Sequence, residues 1–220
     1  DGKLWITVGN NGFKANSSDL SNIHGKMLRI NIDGTIPSDN PFVGSSTIRP
    51  EIYAYGLRNP FRFNFLPNGK AVVGDVGDAG WEEVDVITKG GNFGYPNSEG
   101  SCNGCPYVNP FYQYPHNNQT ASVTGGFFYN SNLANELKNS YFFGDYGLGF
   151  IKRAVLDNNL NLVSIENFDT GAGTVVELLP GGDGSFYFLT IFPGELYRVS
   201  LSSGNQPPTG KISANPQAGD

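Results

Sequence analysis

Three times the chain sets an Asx-Gly turn directly before an apolar run. The copies are Asp1-Gly2-Lys3-Leu4-Trp5, Asn68-Gly69-Lys70-Ala71-Val72 and Asp183-Gly184-Ser185-Phe186-Tyr187. Such a turn accepts the left-handed backbone that reverses a chain into a strand. After each copy comes a further strand that ends in a polar turn, over 28–33, 84–89 and 196–201. Residues 141–157 (YFFGDYGLGFIKRAVLD) form a looser fourth copy. A turn–strand–turn–strand unit recurring at roughly 40–65 residues is what four-stranded propeller blades produce. A sandwich also has many short strands, but it does not require this unit to recur. The expected fold is therefore all-β, a β-propeller of four-stranded blades with about four blades represented.

Composition agrees. Glycine supplies 30 of 220 residues, proline 14, and only 15% of residues are charged. That profile suits a protein of short strands and tight turns. With 16 Phe and 11 Tyr against one Met, the core is expected to be aromatic and β-branched. The formal charge of −6, with no basic run, argues against nucleic acid as a partner. No apolar run approaches the ~18 residues that a membrane-spanning helix needs. Expected strands lie at 4–8, 27–32, 51–55, 70–73, 84–88, 122–129, 140–144, 150–156, 175–179, 185–190 and 195–201. Loops cover 37–50 and 98–116, and one helical turn is expected within 132–138. The opening Asp1-Gly2-Lys3-Leu4 reads as a turn entering a strand, so the chain is expected to be truncated or processed at its N-terminus.

The densest polar chemistry lies in 55–97 (YGLRNPFRFNFLPNGKAVVGDVGDAGWEEVDVITKGGNFGYPN). Arg58-Asn59-Pro60 reads as a polar turn, 75–83 as an acidic glycine-interrupted loop, and 90–94 as a glycine-rich turn. Together these turns are expected at one end of the sheets, building a cation and cofactor site. Asp75, Asp78, Glu82 and Glu83 crowd like charges, which repel unless a cation joins them; a solvated acidic loop is the plain alternative. Arg58 and Asn59 read either as cofactor contacts or as a turn whose Arg is ion-paired across blades. His24 and His116 are expected to be structural, Asp145 to cap a turn, and Trp81 to pack under the acidic loop rather than stack on a sugar.

Cys102 and Cys105 in Ser101-Cys102-Asn103-Gly104-Cys105-Pro106 fit a redox pair, half a zinc site or a small-loop disulfide. The Pro/Gly/Asn surroundings deny the strand-to-helix context of a redox motif, and a zinc site has only His24 and His116 to draw on. A disulfide is favoured, and with it an oxidising compartment. Asn16 and Asn118 head glycosylation sequons, compatible with a secreted, periplasmic or cell-surface protein.

Four stretches carry a family resemblance: HGKMLRINIDGTIPSDNPF, IYAYGLRNPFRFNFLPNGK, GDVGDAGWEEVDVITKGGNFGYPN and GGDGSFYFLTIFPGELYRVS. In that order they resemble the soluble glucose/sorbosone dehydrogenase family of six-bladed propellers. That family includes pyrroloquinoline quinone (PQQ)-dependent aldose dehydrogenases and hedgehog-interacting-protein-like proteins. The resemblance runs from residue 1 to about 201, with blades of the six expected before Asp1. It implies that Arg58 and Asn59 contact PQQ, Arg58 with a catalytic role. The carbonyls of Gly77 and Asp78 would hold the calcium that polarises PQQ. Glu83, with the carbonyl of Phe93, would belong to a second calcium site, while Asp75 and Glu82 join as ligands on composition alone. The catalytic histidine is expected upstream of Asp1, and a small sugar and the remaining blades of the same chain are the expected partners. Several positions depart from the PQQ enzymes. Leu57 stands where they have His, the Asp145-Tyr146-Gly147-Leu148 turn carries no Lys or Arg, Val176 replaces an expected Arg, and alternation sends Lys152 and Arg153 to opposite faces. A non-catalytic, calcium-stabilised propeller serving binding or adhesion is the other reading. The propeller is expected to fill 1–203, with a linker at 204–210. At 211–220, Lys211-Ile212-Ser213-Ala214-Asn215-Pro216 resembles the opening of a PKD-type immunoglobulin-like module.

Overall fold

The computed structural model describes residues 1–132, 134–200 and 211–212, and outside short 3-10 turns at Lys14–Ser17 and Asn135–Leu137 its regular structure is all β. The expected linker, and all of the 211–220 module except residues 211–212, lie outside the described residues. The chain divides into two compact units, Asp1–Gly125 and Gly126–Asp220.

The first unit opens with a three-stranded sheet of β1 (Leu4–Val8), β2 (Lys26–Ile30) and β3 (Ile52–Tyr55), paired in chain order. A four-stranded sheet follows: β4 (Pro60–Phe65), β5 (Ala71–Asp75), β6 (Trp81–Val86) and β7 (Tyr112–Pro115). One apolar cluster spans both sheets, with Met27, Ala54, Leu57, Ala71, Val73, Ile87 and Phe93 buried together. Arg29 lies across Trp5 and Tyr53, at 5.6 and 5.8 Å from the ring centroids, and pairs with Asp1 and Asp39.

In the second unit β8 (Val123–Tyr129), which begins just before the unit boundary, is followed by β9 (Ser140–Asp145), β10 (Phe150–Leu156) and β11 (Leu162–Asp169) in one sheet. The last sheet holds β12 (Val175–Pro180), β13 (Phe186–Thr190), β14 (Glu195–Val199) and β15 (Lys211–Ile212). Phe127, Phe142 and Phe186 form the heart of this unit, with centroids 5.0 to 5.7 Å apart. Aromatic contact at that spacing adds to the area each ring buries.

Four sheets of consecutive strands are the blades of a β-propeller, as the repeat implied. The Asx-Gly turns feed β1, β5 and β13. They enter the second strand of a four-stranded sheet twice and the first strand of the three-stranded sheet once. The three-stranded sheet thus corresponds to the second to fourth strands of a blade. Topologically, the 9–25, 76–80, 146–149 and 191–194 connections are equivalent.

The structure corrects the boundaries of the acidic stretch. Asp75 closes β5, and Glu82 and Glu83 lie inside β6, so the turn is only 76–80. In Trp81-Glu82-Glu83-Val84-Asp85-Val86, Trp and Val favour the pleat strongly enough to carry carboxylates into the sheet. Strands β4, β7 and β11 were not expected. All three are sheet edges, and β4 starts and β7 ends on a proline, where a missing N–H costs no ladder bond. Of the expected module at 211–220 only Lys211–Ile212 is described, and it pairs with β14.

Candidate functional site

The site grows from the pairing of β5 with β6. Asp75 stands opposite Glu83, and Val73 opposite Asp85. Side chains alternate along a strand, so Asp75, Glu83 and Asp85 share one face and Glu82 takes the other. All four are buried, at 2%, 8%, 0% and 0% exposure for Asp75, Glu83, Asp85 and Glu82. One oxygen from each of Asp75, Glu83 and Asp85 lies within 4.8 Å of the others.

The three carboxylates differ in their partners. Asp75 accepts the backbone N–H groups of Arg58 at 2.9 Å and Asn59 at 2.6 Å. Glu83 accepts the N–H of Gly100. Neither oxygen of Asp85 has a hydrogen-bond partner among the described residues. Burial, and then the neighbouring carboxylates, push Asp85 well above the usual range. Burial pushes Asp75 up to about 7, against the two N–H bonds that favour its anion. Burial and the charge of Asp75 push Glu83 up to about 8. A buried carboxylate with no donor is costly as an anion. Three carboxylates converging, Asp85 among them, suit calcium, which takes several carboxylate and carbonyl oxygens. The residues present therefore fit the ion, and Asp85, which the sequence reading did not name, stands beside Asp75 and Glu83, two of the ligands it did name. The available signal was Glu83-Val84-Asp85, two acids one residue apart, which share a face once the run is taken as a strand.

Glu82 is not brought to this cluster. Its carboxylate accepts the N–H of Gly77 at 3.2 Å and of Val123 at 2.8 Å, and lies 2.7 Å from His116 Nε2. It holds the 76–80 turn from below. His116 adds its backbone N–H to the Gly80 carbonyl at 2.9 Å. His24 lies elsewhere; its carbonyl is one of three, with those of Asn16 and Ser17, that receive the ammonium of buried Lys26.

The turn is tightly specified. A Cβ on Gly77 would sit 1.7 Å from the Trp81 carbonyl oxygen, so no other residue fits. The Glu99 carboxylate collects the N–H groups of Asp78, Ala79 and Gly80. Arg58 donates from Nη1 to the Val76 carbonyl at 3.2 Å. Its Nη2 lies 3.8 Å from Asp78, which also pairs with Lys14. The hydrogen bond from Lys14 holds the Asp78 carboxyl below its ordinary range. The Asp78 side chain thus faces two cations, while the carbonyls of Gly77 and Asp78 accept no hydrogen bond among the described residues.

Asn59 receives the N–H of Val76 on its carbonyl at 3.1 Å, and its side chain occupies the space left by Gly9. Phe93 is 4% exposed in the core and donates its N–H to Tyr55 at 2.9 Å. Leu57 is fully buried in the same core. Trp81 packs beside Gly100, and Asp145 accepts the N–H of Leu148 at 2.6 Å to close its turn. Cys102 and Cys105 form a disulfide with a Cα–Cα distance of 5.6 Å. Asn118 is exposed on a turn, whereas the Asn16 amide donates to the Asn10 carbonyl at 3.0 Å.

The family model described as glucose/sorbosone dehydrogenase matches residues 1–198. HIPL1 protein of Arabidopsis thaliana is 31% identical over 191 residues, covering 68% of this chain and 28% of that protein. Aldose sugar dehydrogenase YliI of Escherichia coli K12 is 29% identical over 227 residues, covering 91% of this chain and 58% of that protein. A solved glucose dehydrogenase superposes with a TM-score of 0.81 at 26% identity, covering 91% of this chain and 62% of that one. The chain thus spans 28% and 58% of the length of the two curated relatives.

Proposed function

The chain belongs to the glucose/sorbosone dehydrogenase family, and from that premise we propose an exported, PQQ- and calcium-dependent sugar dehydrogenase that oxidises an aldose at the anomeric carbon to a lactone. The observation that carries the reading is the double role of Asp75. Its two oxygens fix the Arg58-Asn59 backbone, and it stands in the same buried cluster as the donorless Asp85. One carboxylate thereby links a cation position to the turn that the family resemblance assigns to the cofactor.

In this reading Asp75, Glu83 and Asp85 hold calcium. Following the resemblance, the Glu83 site would also draw on the Phe93 carbonyl, while the carbonyls of Gly77 and Asp78, which accept no hydrogen bond among the described residues, would hold the calcium that polarises PQQ. Arg58 would contact PQQ through its half-buried guanidinium, with Asn59 beside it as the resemblance implies. Bound PQQ would supply the hydride acceptor for the sugar carbon. The Arg58 guanidinium puts fixed positive charge beside the position where negative charge develops, without having to reorganise during the reaction. His116 is held by Glu82 and the Gly80 carbonyl, so in this reading it supports the turn and does not take the sugar proton. The disulfide supports an oxidising, secreted, periplasmic or cell-surface location.

Dye reduction by the full-length protein, with glucose as substrate and PQQ and calcium added, tests the activity. Turnover that requires both additions is expected. No turnover, with PQQ fluorescence unchanged by the protein, contradicts it. One observation favours a second reading, a calcium-stabilised binding propeller without redox chemistry. Arg58 is already engaged by the Val76 carbonyl and Asp78, so the turn is complete without a cofactor. Calcium binding without any PQQ binding selects that reading.

A further inference from the structure

The 96–113 segment contains no candidate ligand, yet it touches both halves of the site through adjacent residues. Glu99 is the anchor of the 76–80 turn: its carboxylate binds three successive backbone N–H groups, those of Asp78, Ala79 and Gly80. The next residue, Gly100, gives its own N–H to Glu83 in the carboxylate cluster. Gly100 adopts φ +82, and a Cβ there would approach Trp81 to 3.2 Å and Gln113 to 3.1 Å. Beyond it the segment stays tied down. Ser101 donates to Gln113 at 2.5 Å, Cys102 to Asn109 at 2.9 Å, and the Cys102–Cys105 disulfide closes the loop. Glu99 and Gly100 therefore have little freedom to move independently.

We propose that Glu99 is a positioning residue for the 76–80 turn, and that Glu99-Gly100 couples this turn to the carboxylate cluster. This rests on the cation reading above. A cation drawing on Glu83 changes how that carboxylate holds the Gly100 N–H. Gly100 carries Glu99 with it, and Glu99 sets where the Gly77 and Asp78 carbonyls stand. Coupling of this kind is reciprocal, so loosening the turn weakens the cation site in return. Groups that orient metal ligands without touching the ion typically change affinity by about 10–100-fold when removed.

Glu99→Gln and Gly100→Ala in the full-length protein test this, with calcium titration by calorimetry and amide hydrogen exchange as readouts. In Glu99→Gln the amides of 78–80 are expected to lose protection while those of β5 and β6 keep theirs, and calcium affinity to fall about tenfold. Gly100→Ala is expected to weaken calcium similarly. A merely structural role for Glu99 would lower the melting temperature and leave the calcium Kd unchanged, which overturns the proposal. Unchanged exchange at 78–80 in Glu99→Gln overturns the anchoring role itself. If the wild type binds no calcium, the cation reading and the coupling both fail, and the anchor is then decided by the exchange data alone.

Discussion

The two units bury different things. Among the described residues the first buries the charged side chains Lys26, Arg29, Asp75, Glu82, Glu83 and Asp85, whereas the second buries Asp145 alone. The core of the second unit is built on Phe127, Phe142 and Phe186. Removal of aromatic area from water explains such a core without further assumption. Charges in the first unit each need a local partner to offset desolvation. Lys26 has three carbonyls, Arg29 has Asp1 and Asp39, and Glu82 has two N–H groups and His116. Asp85 has none. The second unit reads as a stability core, while the first carries an uncompensated acid where a cation would compensate it.

The contrast can be broken at several points. The largest effect is expected in the second unit: Phe142→Ala should cost about 3–5 kcal/mol in urea unfolding, with the same loss in calcium and in EDTA. A loss that depends on calcium would erase the distinction between the units. In the first unit Glu82→Ala should cost about 2–3 kcal/mol, because it strands the Gly77 and Val123 N–H groups. Calcium should still stabilise this variant, but by less than the wild type, because Glu82 is no ligand of the cluster yet holds the 76–80 turn coupled to it.

The pH profile should be next in size. Asp75 and Glu83 are pushed up to about 7 and about 8, from ordinary values of 3.8 and 4.5. Without a cation the folded chain therefore binds more protons than the unfolded chain between those limits. Their contribution is fully present below about pH 4 and is lost as pH rises through about 7 and 8. In EDTA the melting temperature should fall across that window, and saturating calcium should flatten or reverse the slope. The smallest effect is expected at the surface. Lys14→Ala breaks an exposed pair with Asp78 and should leave the melting temperature unmoved.

The repeat of Asx-Gly turns was enough to show the blades, because a turn entering an alternating run has few other solutions. The edges β4, β7 and β11 stayed hidden, since edge strands tolerate Pro and polar residues that read as loop. At the site, carboxylates suggested a loop, and the β-propensity of Trp81, Val84 and Val86 was outweighed in that reading. A loop has no two faces, so the split between Glu82 and Glu83, and with it the place of Asp85, is visible only once 81–86 is a strand. Glu99 was not legible for a different reason: its partners are backbone N–H groups some 20 residues away, a pairing that leaves no local pattern.

The central claim is that Asp85 is a cation ligand, and thermal unfolding of wild type and Asp85→Asn with calcium or with EDTA tests it most directly. The wild type should melt higher in calcium than in EDTA. Asp85→Asn, which removes the buried carboxyl group at nearly constant volume, should match or exceed the wild type in EDTA and gain nothing from calcium. A wild type indifferent to calcium, or an Asp85→Asn variant stabilised by calcium as much as the wild type, would contradict the account.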